Sequence, residues 1–315
     1  MNTFNRILFV ANGAAAEPHA LARAGALAEA SGANLLTVMD IRGSAAPARP
    51  RPDGFGESSD LGYLIAQAPV LPSSDGSHVS LETESTIDDV IEAARTHDLV
   101  IMPARDKAIA RRGRAIKEDR LIMRYCGCPV LVIKVQAQAR PRRVLAVVNL
   151  DLTLEDSTRA RATLDTAAAL ASVEHASLEV ADSWQIQREL ELRGRANVTR
   201  LMSEMEAAHR KQLVALVAER GLSGTAVHLA YGEPQHAIPP LVKRREIDLV
   251  VVGNKPPTAL VRLLAGTSAE KLLQRLDCSL LAVSSETARV SARLRQKRRP
   301  SFGQGRRRMA NSAHA

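Results

Sequence analysis

Residues with the types and spacing of a phosphate site lie in the segment 251–273, VVGNKPPTALVRLLAGTSAEKLL. An apolar run reaches Gly253, and farther on Gly266, Thr267 and Ser268 precede a helical pattern. Glycine lets backbone N–H groups approach phosphate oxygens, and the N-terminus of a helix attracts anions. The segment therefore predicts a phosphate or nucleotide site, with the alternative that Thr267 or Ser268 only caps a helix.

Two prolines weaken this predicted site. Pro256 has no N–H to donate, and Pro257 after it favours an extended conformation. The loss of one hydrogen bond to a charged group costs roughly 1.5–3 kcal/mol, which is about 10- to 150-fold in affinity. Lys255 and Arg262 would add positive charge. A micromolar nucleotide site would still become a weak one.

The elements that position this site are repeated in the two halves of the chain. The matched pairs are DLVIMPA (98–104) with DLVVVGN (248–254), CPVLVIK (128–134) with CSLLAVS (278–284), and RILFVAN (6–12) with RVLAVVN (143–149). The halves differ in between, because the Pro/Gly/Ser-rich stretch 42–60 stands where the second half has an amphipathic helical pattern at about 198–221. We therefore predict two domains, 1–136 and 141–285, followed by a basic tail, 286–315.

Each half alternates short apolar strands with helices, which is typical of a parallel sheet covered on both faces. The predicted strands are Ile7–Ala11, Leu35–Asp40, Val79–Glu84, Leu99–Pro103, Val130–Lys134, Val144–Leu150, Ser177–Ala181, Ala226–Ala230, Leu249–Gly253 and Ser279–Val283. The fold class is α/β, with two tandem Rossmann-like or flavodoxin-type domains, each an open parallel five-stranded sheet. The halves are predicted to dock through the edge strands 130–134 and 279–283, since docking covers open sheet edges.

Sheets of this kind bind ligands at the carboxyl ends of their strands. The predicted nucleotide- or anion-binding residues are Asn149, Asp151, Gly253, Asn254, Lys255, Gly266, Thr267 and Ser268. No catalytic or metal-binding residue is predicted, since the sequence has no GxSxG, Walker-type or HExxH motif.

The paired halves, VVNL, GEPQHAIPPL, DLVVVG and LAGTSAEKLLQRLDCSLLAV resemble the universal stress protein family, in its tandem-domain E type. In nucleotide-binding members the loop reads Gly, two residues, Gly, nine residues, Gly and Ser or Thr. Here Gly253 and Gly266–Thr267 match, and Pro256 replaces the second glycine. Asn149, and Asn12 in the first half, stand where such members carry an acidic residue that faces the adenine.

In the first half no glycine of the loop remains. Pro103, Asp106, Ile116 and Lys117 occupy the corresponding positions, so phosphate binding is not expected there. That half is predicted to serve as a packing partner, which makes the chain an intramolecular pseudo-dimer with further dimerisation open.

The resemblance implies a non-catalytic ligand-binding or scaffold role in stress survival, including resistance to DNA damage, with protein partners that the sequence does not identify. Two alternatives stay open. One is a weak nucleotide switch that binds ATP with Mg²⁺ in the second domain. The other is a binder of an apolar or lipid-like ligand between the domains.

Charge and cysteine content suggest the compartment and the partners. The net charge is +9, and the segment 286–315 holds nine Lys or Arg and one acidic residue. Residues 289–308 could therefore contact nucleic acid weakly and without sequence specificity. Cys128 and Cys278 occupy equivalent strand positions and are expected to be small core residues. The odd cysteine number, with no 18-residue apolar run and no signal-peptide pattern, predicts a cytoplasmic protein without a membrane span.

Overall fold

The computed structural model describes residues 4–12, 17–41, 78–82, 85–105, 115–134, 140–150, 154–185, 195–254 and 267–284. The first half contains β1 (Arg6–Ala11), α1 (Glu17–Ser31), β2 (Leu35–Asp40), β3 (His78–Glu82), α2 (Ile87–Ala93), β4 (Leu99–Pro103), α3 (Ala115–Tyr125) and β5 (Val130–Ile133). The second half contains β6 (Arg143–Val148), α4 (Leu154–Glu174), β7 (Ser177–Trp184), α5 (Arg195–Glu219), β8 (Ala226–Tyr231), α6 (Pro234–Arg245), β9 (Leu249–Asn254), α7 (Ser268–Arg275) and β10 (Ser279–Ser284). A 3₁₀ turn, Ala94–Thr96, follows α2.

All ten strands form one sheet in the order β3-β2-β1-β4-β5-β10-β9-β6-β7-β8. Within each half the strands are parallel, and the spatial order is 3-2-1-4-5. This is the Rossmann-type order, which differs from the 2-1-3-4-5 order of flavodoxin-type sheets. The predicted Rossmann-like α/β fold is confirmed, with this order in place of the flavodoxin type.

The two halves meet through β5 and β10, which pair antiparallel at the centre of the sheet. Leu131 lies opposite Leu281, and both side chains are fully buried. The prediction that these edge strands dock is therefore confirmed, and the two five-stranded sheets continue into each other. The antiparallel pairing is what a two-fold relation between the halves requires, since each half is parallel inside.

Two helix layers cover the sheet because alternate residues of each strand face opposite sides. Ile7 and Phe9 of β1 pack in the layer that contains α1 and α4, whereas Leu8 and Val10 pack in the layer that contains α6 and α7. The outermost strand β3 departs from the prediction of strands covered on both faces, because Val79 and Leu81 are about half exposed (49% and 47%).

The amphipathic pattern predicted at about 198–221 forms α5. Its buried residues, Leu213, Leu216 and Val217, come from the predicted apolar face and lie in its C-terminal half. No helix in the described ranges is long and apolar enough to cross a membrane.

The cysteines pack as the repeat predicted, with one difference. Cys128 is buried before β5, whereas Cys278 is only half-buried before β10. Burial raises the pKa of each of these two thiols to about 12. Both are therefore protonated near neutral pH, and a protonated thiol is a poor nucleophile and metal ligand.

Buried ion pairs join the halves on both helix layers. On one layer Arg23 of α1 forms a bidentate pair with Glu174 of α4, at 2.6 and 3.0 Å. Burial lowers the pKa of Arg23 and raises that of Glu174, although each side chain opposes the shift of the other. On the other layer Arg124 of α3 pairs with Glu270 of α7 through bonds of 2.5 and 3.0 Å.

The Arg23–Glu174 pair gives the first prediction. Arg23→Ala should lower the free energy of unfolding by about 3–5 kcal/mol, because it leaves a buried carboxylate without its partner. The double variant Arg23→Met/Glu174→Met should recover most of this loss, since it removes both buried charges. Urea denaturation followed by circular dichroism measures both effects.

The exposed pair Arg200–Glu204 on α5 supplies the matched control. Arg200→Ala removes an arginine–glutamate pair that water already solvates, so its unfolding midpoint should equal that of the wild type. If Arg23→Ala were as stable as this control, the buried pair would not hold the halves together.

Candidate functional site

The carboxyl ends of β6 and β9 form the crevice at which the strand order of the second half reverses. β6 and β9 are neighbours, with Val147 opposite Val252, so the chain beyond each strand emerges at the same edge. Asn149 directly follows β6 and is exposed, and Gly253 and Asn254 end β9. Open α/β sheets bind ligands at such a reversal. The structure thus brings these three predicted residues to one edge.

The helix α7 starts at the same edge, because it leads back toward the beginning of β10. Thr267 precedes α7 as its N-cap and accepts a hydrogen bond from the backbone N–H of Glu270 at 3.3 Å. The capping alternative is therefore observed for Thr267. Ser268 is the first residue of α7, and the predicted residues Asp151, Lys255 and Gly266 lie outside the described residues, as does Pro256.

Gly253 has a packing reason to be glycine. A Cβ atom at this position would stand 2.9 Å from Cγ and Cδ of Arg159 and 3.0 Å from Oγ1 of Thr163, both on α4. Arg159 is itself buried, so its side chain has little room to move away. The glycine that begins the predicted phosphate loop is thus required by the contact between α4 and β9, with or without a ligand.

Asn254 is used to hold the two halves together. Its side chain is 3% exposed, and its Nδ2 donates to the backbone oxygen of Met123 on α3 at 2.5 Å. Its Oδ1 is buried without a hydrogen-bond partner among the described residues. Beside it Ser284, opposite Asn254 in the register, donates through Oγ to the oxygen of Gly127 at 2.6 Å. The end of β9 is therefore anchored on the first half.

The first turn of α7 is also bound to the first half. Glu270 is 2% exposed and accepts from Arg124, and its Oε2 lies 3.4 Å from Nε of Arg120. The hydrogen bond to Glu270 raises the pKa of Arg124. A carboxylate near a helix N-terminus complements the helix dipole. An anion that approached the N-terminus of α7 would therefore meet the negative charge of Glu270, which Arg120 and Arg124 contact from the first half.

The corresponding position of the first half is filled by an internal charge cluster. Arg105 follows β4, and its guanidinium lies 2.7 Å from Glu118 and 3.4 Å from Asp119, both on α3. Carboxylates repel phosphate, which agrees with the expectation that this half does not bind it. Asn12, at the end of β1, is buried, and its Nδ2 donates to the oxygen of Pro103 at 3.0 Å.

No metal centre is built by the part of the chain that the structure describes. Within these ranges no three His, Cys, Asp or Glu side chains come close enough to hold an ion together. The charged groups of the crevice that sequence reasoning missed are Arg159, Arg120, Arg124 and Glu270. Their spacing along the chain carries no signal, because the contacts depend on how helices of different segments pack.

Comparison with known proteins agrees with this architecture. Residues 142–284 match the model of the universal stress protein family. The second half of the chain belongs to the universal stress protein family. The resemblance predicted from the sequence motifs is therefore confirmed, and the matched residues include the crevice, α7 and β10.

Curated proteins named universal stress protein E, or a homolog of it, align with part of the chain. The universal stress protein E homolog of Haemophilus influenzae is 25% identical over 192 residues, which cover 59% of this chain and 62% of that protein. Universal stress protein E of Escherichia coli is 22% identical over 214 residues, covering 64% and 65% respectively. The alignments thus span less than two thirds of the length of these relatives.

Solved structures match the fold over most of the chain. The structure of a functionally unknown protein from Pseudomonas aeruginosa aligns with 94% of this chain and over 98% of its own length. The TM-score is 0.66 and the sequence identity is 20%. A universal stress protein from Archaeoglobus fulgidus covers 89%, and 96% of it is covered, with a TM-score of 0.54 and 14% identity. At these identities the likeness shows the fold alone.

The charge cluster of the first half gives a prediction on pH. Burial raises the pKa of Asp119 to about 7 from an ordinary value of 3.8, with Arg105 opposing and Glu118 reinforcing the shift. A carboxyl whose pKa is raised by folding favours the folded state below its unfolded pKa, and that contribution is lost as the pH rises through 7.

Asp119→Asn removes this dependence because the amide does not titrate. The variant should gain stability relative to the wild type between pH 5 and pH 8, as measured by urea midpoints at both values. Asp88→Asn on the surface of α2 is the matched control and should show no such gain. An Asp119→Asn midpoint that moves with pH in parallel with the wild type would contradict the raised pKa.

Proposed function

We propose that this chain is a stress-response protein that acts by binding rather than by turnover. Its function depends on the joint between its two halves. The observation that carries the proposal is that both described flanks of the candidate loop bind the first half. Asn254 before the loop bonds Met123, and Glu270 after it bonds Arg124. The family match of the second half supports the stress role.

The first half then acts as a scaffold for the second. A ligand or protein partner that contacts the loop would act on residues that also connect the halves. Conversely, a shift of α3 would move both flanks of the loop together. Resistance to DNA damage, in the cytoplasm, is the form of stress survival that the resemblance to the E type favours.

A weak nucleotide switch is the second candidate. The N-terminus of α7 and the buried cation Arg159 border the crevice, and they would hold phosphates if ATP with Mg²⁺ binds. The fit is limited, because Glu270 brings a carboxylate to the first turn and Pro256 removes a backbone donor. On both helix layers the halves meet through buried ion pairs, which argues against an apolar ligand between them.

The stress role can be tested by survival. Escherichia coli cells that lack their universal stress protein E should survive ultraviolet irradiation better when they express this chain than when they carry an empty vector. Arg124→Ala should restore less, because Glu270 then keeps only the longer contact to Arg120. Arg200→Ala, with its exposed pair, is the matched control and should restore as much as the wild type. No recovery at equal protein abundance would refute the stress role.

The nucleotide candidate predicts a separate result. Native mass spectrometry with ATP and Mg²⁺ should show one nucleotide per chain at millimolar concentration and little at micromolar concentration. Gly266→Glu should abolish the complex, because it places a carboxylate at the helix N-terminus. A complex that survives this substitution would place the nucleotide elsewhere, and no complex at millimolar ATP would exclude the switch.

A further inference from the structure

An aromatic cluster lies at the carboxyl ends of β7 and β8, away from the joint between the halves. It consists of Trp184, the last residue of β7, Tyr231, the last residue of β8, and His209 of α5. The imidazole of His209 stacks on the indole of Trp184, with ring centroids 5.5 Å apart and planes at 26°. Tyr231 meets Trp184 edge to face at 5.1 Å.

A buried carboxylate fixes the imidazole of this cluster. Asp182 of β7 is 0% exposed, and its Oδ2 lies 2.7 Å from Nδ1 of His209. Its Oδ1 accepts from the backbone N–H of Leu150 at 3.3 Å. Because a carboxylate only accepts hydrogen bonds, the proton lies on Nδ1. The other ring nitrogen, Nε2, then faces away from Asp182. The same pairing orients the imidazole of metal-binding histidines in other proteins and raises the basicity of the nitrogen that binds the metal.

Two polar groups of the cluster, Nε2 of His209 and the indole N–H of Trp184, make no hydrogen bond within the part of the chain that the structure describes. The His209 side chain is 19% exposed and Tyr231 is 47% exposed, while Trp184 beneath them is nearly buried at 5%. Buried aromatic side chains with a polar group usually place that group against a partner.

This position differs from the candidate crevice. Asp182 and Trp184 share the face of β7 on which Val180 packs against the α4 and α5 layer. The predicted phosphate site lies at the end of β9 and the start of α7. β9 is two strands away from β7, in the direction of the joint. The cluster is therefore separate from the crevice and lies beside the edge strand β8.

We propose that this aromatic cluster is a binding site for a small, uncharged ring compound that carries a hydroxyl or N–H group. The donor of the ligand bonds Nε2 of His209, and its ring packs on the exposed face of Tyr231. An anion is disfavoured, because the Asp182 carboxylate stands directly behind the imidazole. The proposal does not depend on nucleotide binding at the crevice.

A purely structural role makes a different prediction. If the Asp182–His209 bond only fastens α5 to the sheet, the cluster would not distinguish a ring compound with a donor from one without it. Phenol and anisole form such a pair, since anisole replaces the hydroxyl hydrogen by a methyl group.

The chain contains one tryptophan, so its indole N–H gives a single signal in a ¹⁵N-labelled protein. Phenol should displace this signal along a saturating curve, and anisole should bind about tenfold more weakly, because it cannot donate to Nε2. Equal effects of the two compounds on the wild-type protein, or a linear response without saturation, would overturn the proposal. This comparison needs no variant and so does not depend on the folding of one.

Two substitutions locate the effect. His209→Phe keeps a ring over Trp184 but loses Nε2, so phenol should bind about as weakly as anisole does to the wild type. His236→Phe changes an exposed histidine on α6 and should leave phenol binding unchanged. If the two variants bound phenol equally well, His209 would not be the recognising group.

Discussion

The antiparallel pairing of β5 with β10 is the constraint on which the rest of this structure depends. It joins two parallel sheets into one and leaves open edges only at β3 and β8 among the described strands. It also fixes which helices of the two halves become neighbours. Because β5 and β10 each follow their helix, α3 and α7 meet on one layer, while α1 meets α4 on the other. The buried ion pairs are consequences of this register.

The joint and the candidate site use the same residues. The end of β9 and the start of α7, which flank the candidate loop, both contact the first half. Here Asn254 gives its amide to Met123, and Glu270 places its carboxylate against Arg124. These contacts stabilise the pairing of the two halves. They also leave fewer polar groups available to bind phosphate. The polar groups that flank the candidate loop in the second half thus bind the first half.

Gly253 illustrates why a retained motif residue does not by itself indicate a retained function. The absence of a Cβ lets Arg159 and Thr163 of α4 pack against β9. Any sequence with this helix–strand contact would keep the glycine, whether or not a phosphate binds nearby. This explanation does not require a positive φ angle at Gly253, although phosphate loops often need one.

Much of the fold could be predicted because it follows from local patterns. Apolar runs such as Leu249–Gly253 are buried strands, and the repeat between the halves placed β5 and β10 as partners. The site could be predicted only in part. Arg124 and Glu270 are 146 residues apart, so their pairing depends on a register that no spacing reveals. The Asp182–His209 bond was missed for the same reason, since α5 had first to be placed over β7.

Hydrogen exchange of the full chain tests the central claim, that the halves form one continuous sheet. The backbone amides of β5 and β10 should exchange as slowly as those of β4 and β9, because the central pairing opens only when the sheet unfolds. Fast exchange at β5 and β10 beside slow exchange at β4 and β9 would mean that the halves separate while each stays folded. That result would contradict the account of the joint and of the site built on it.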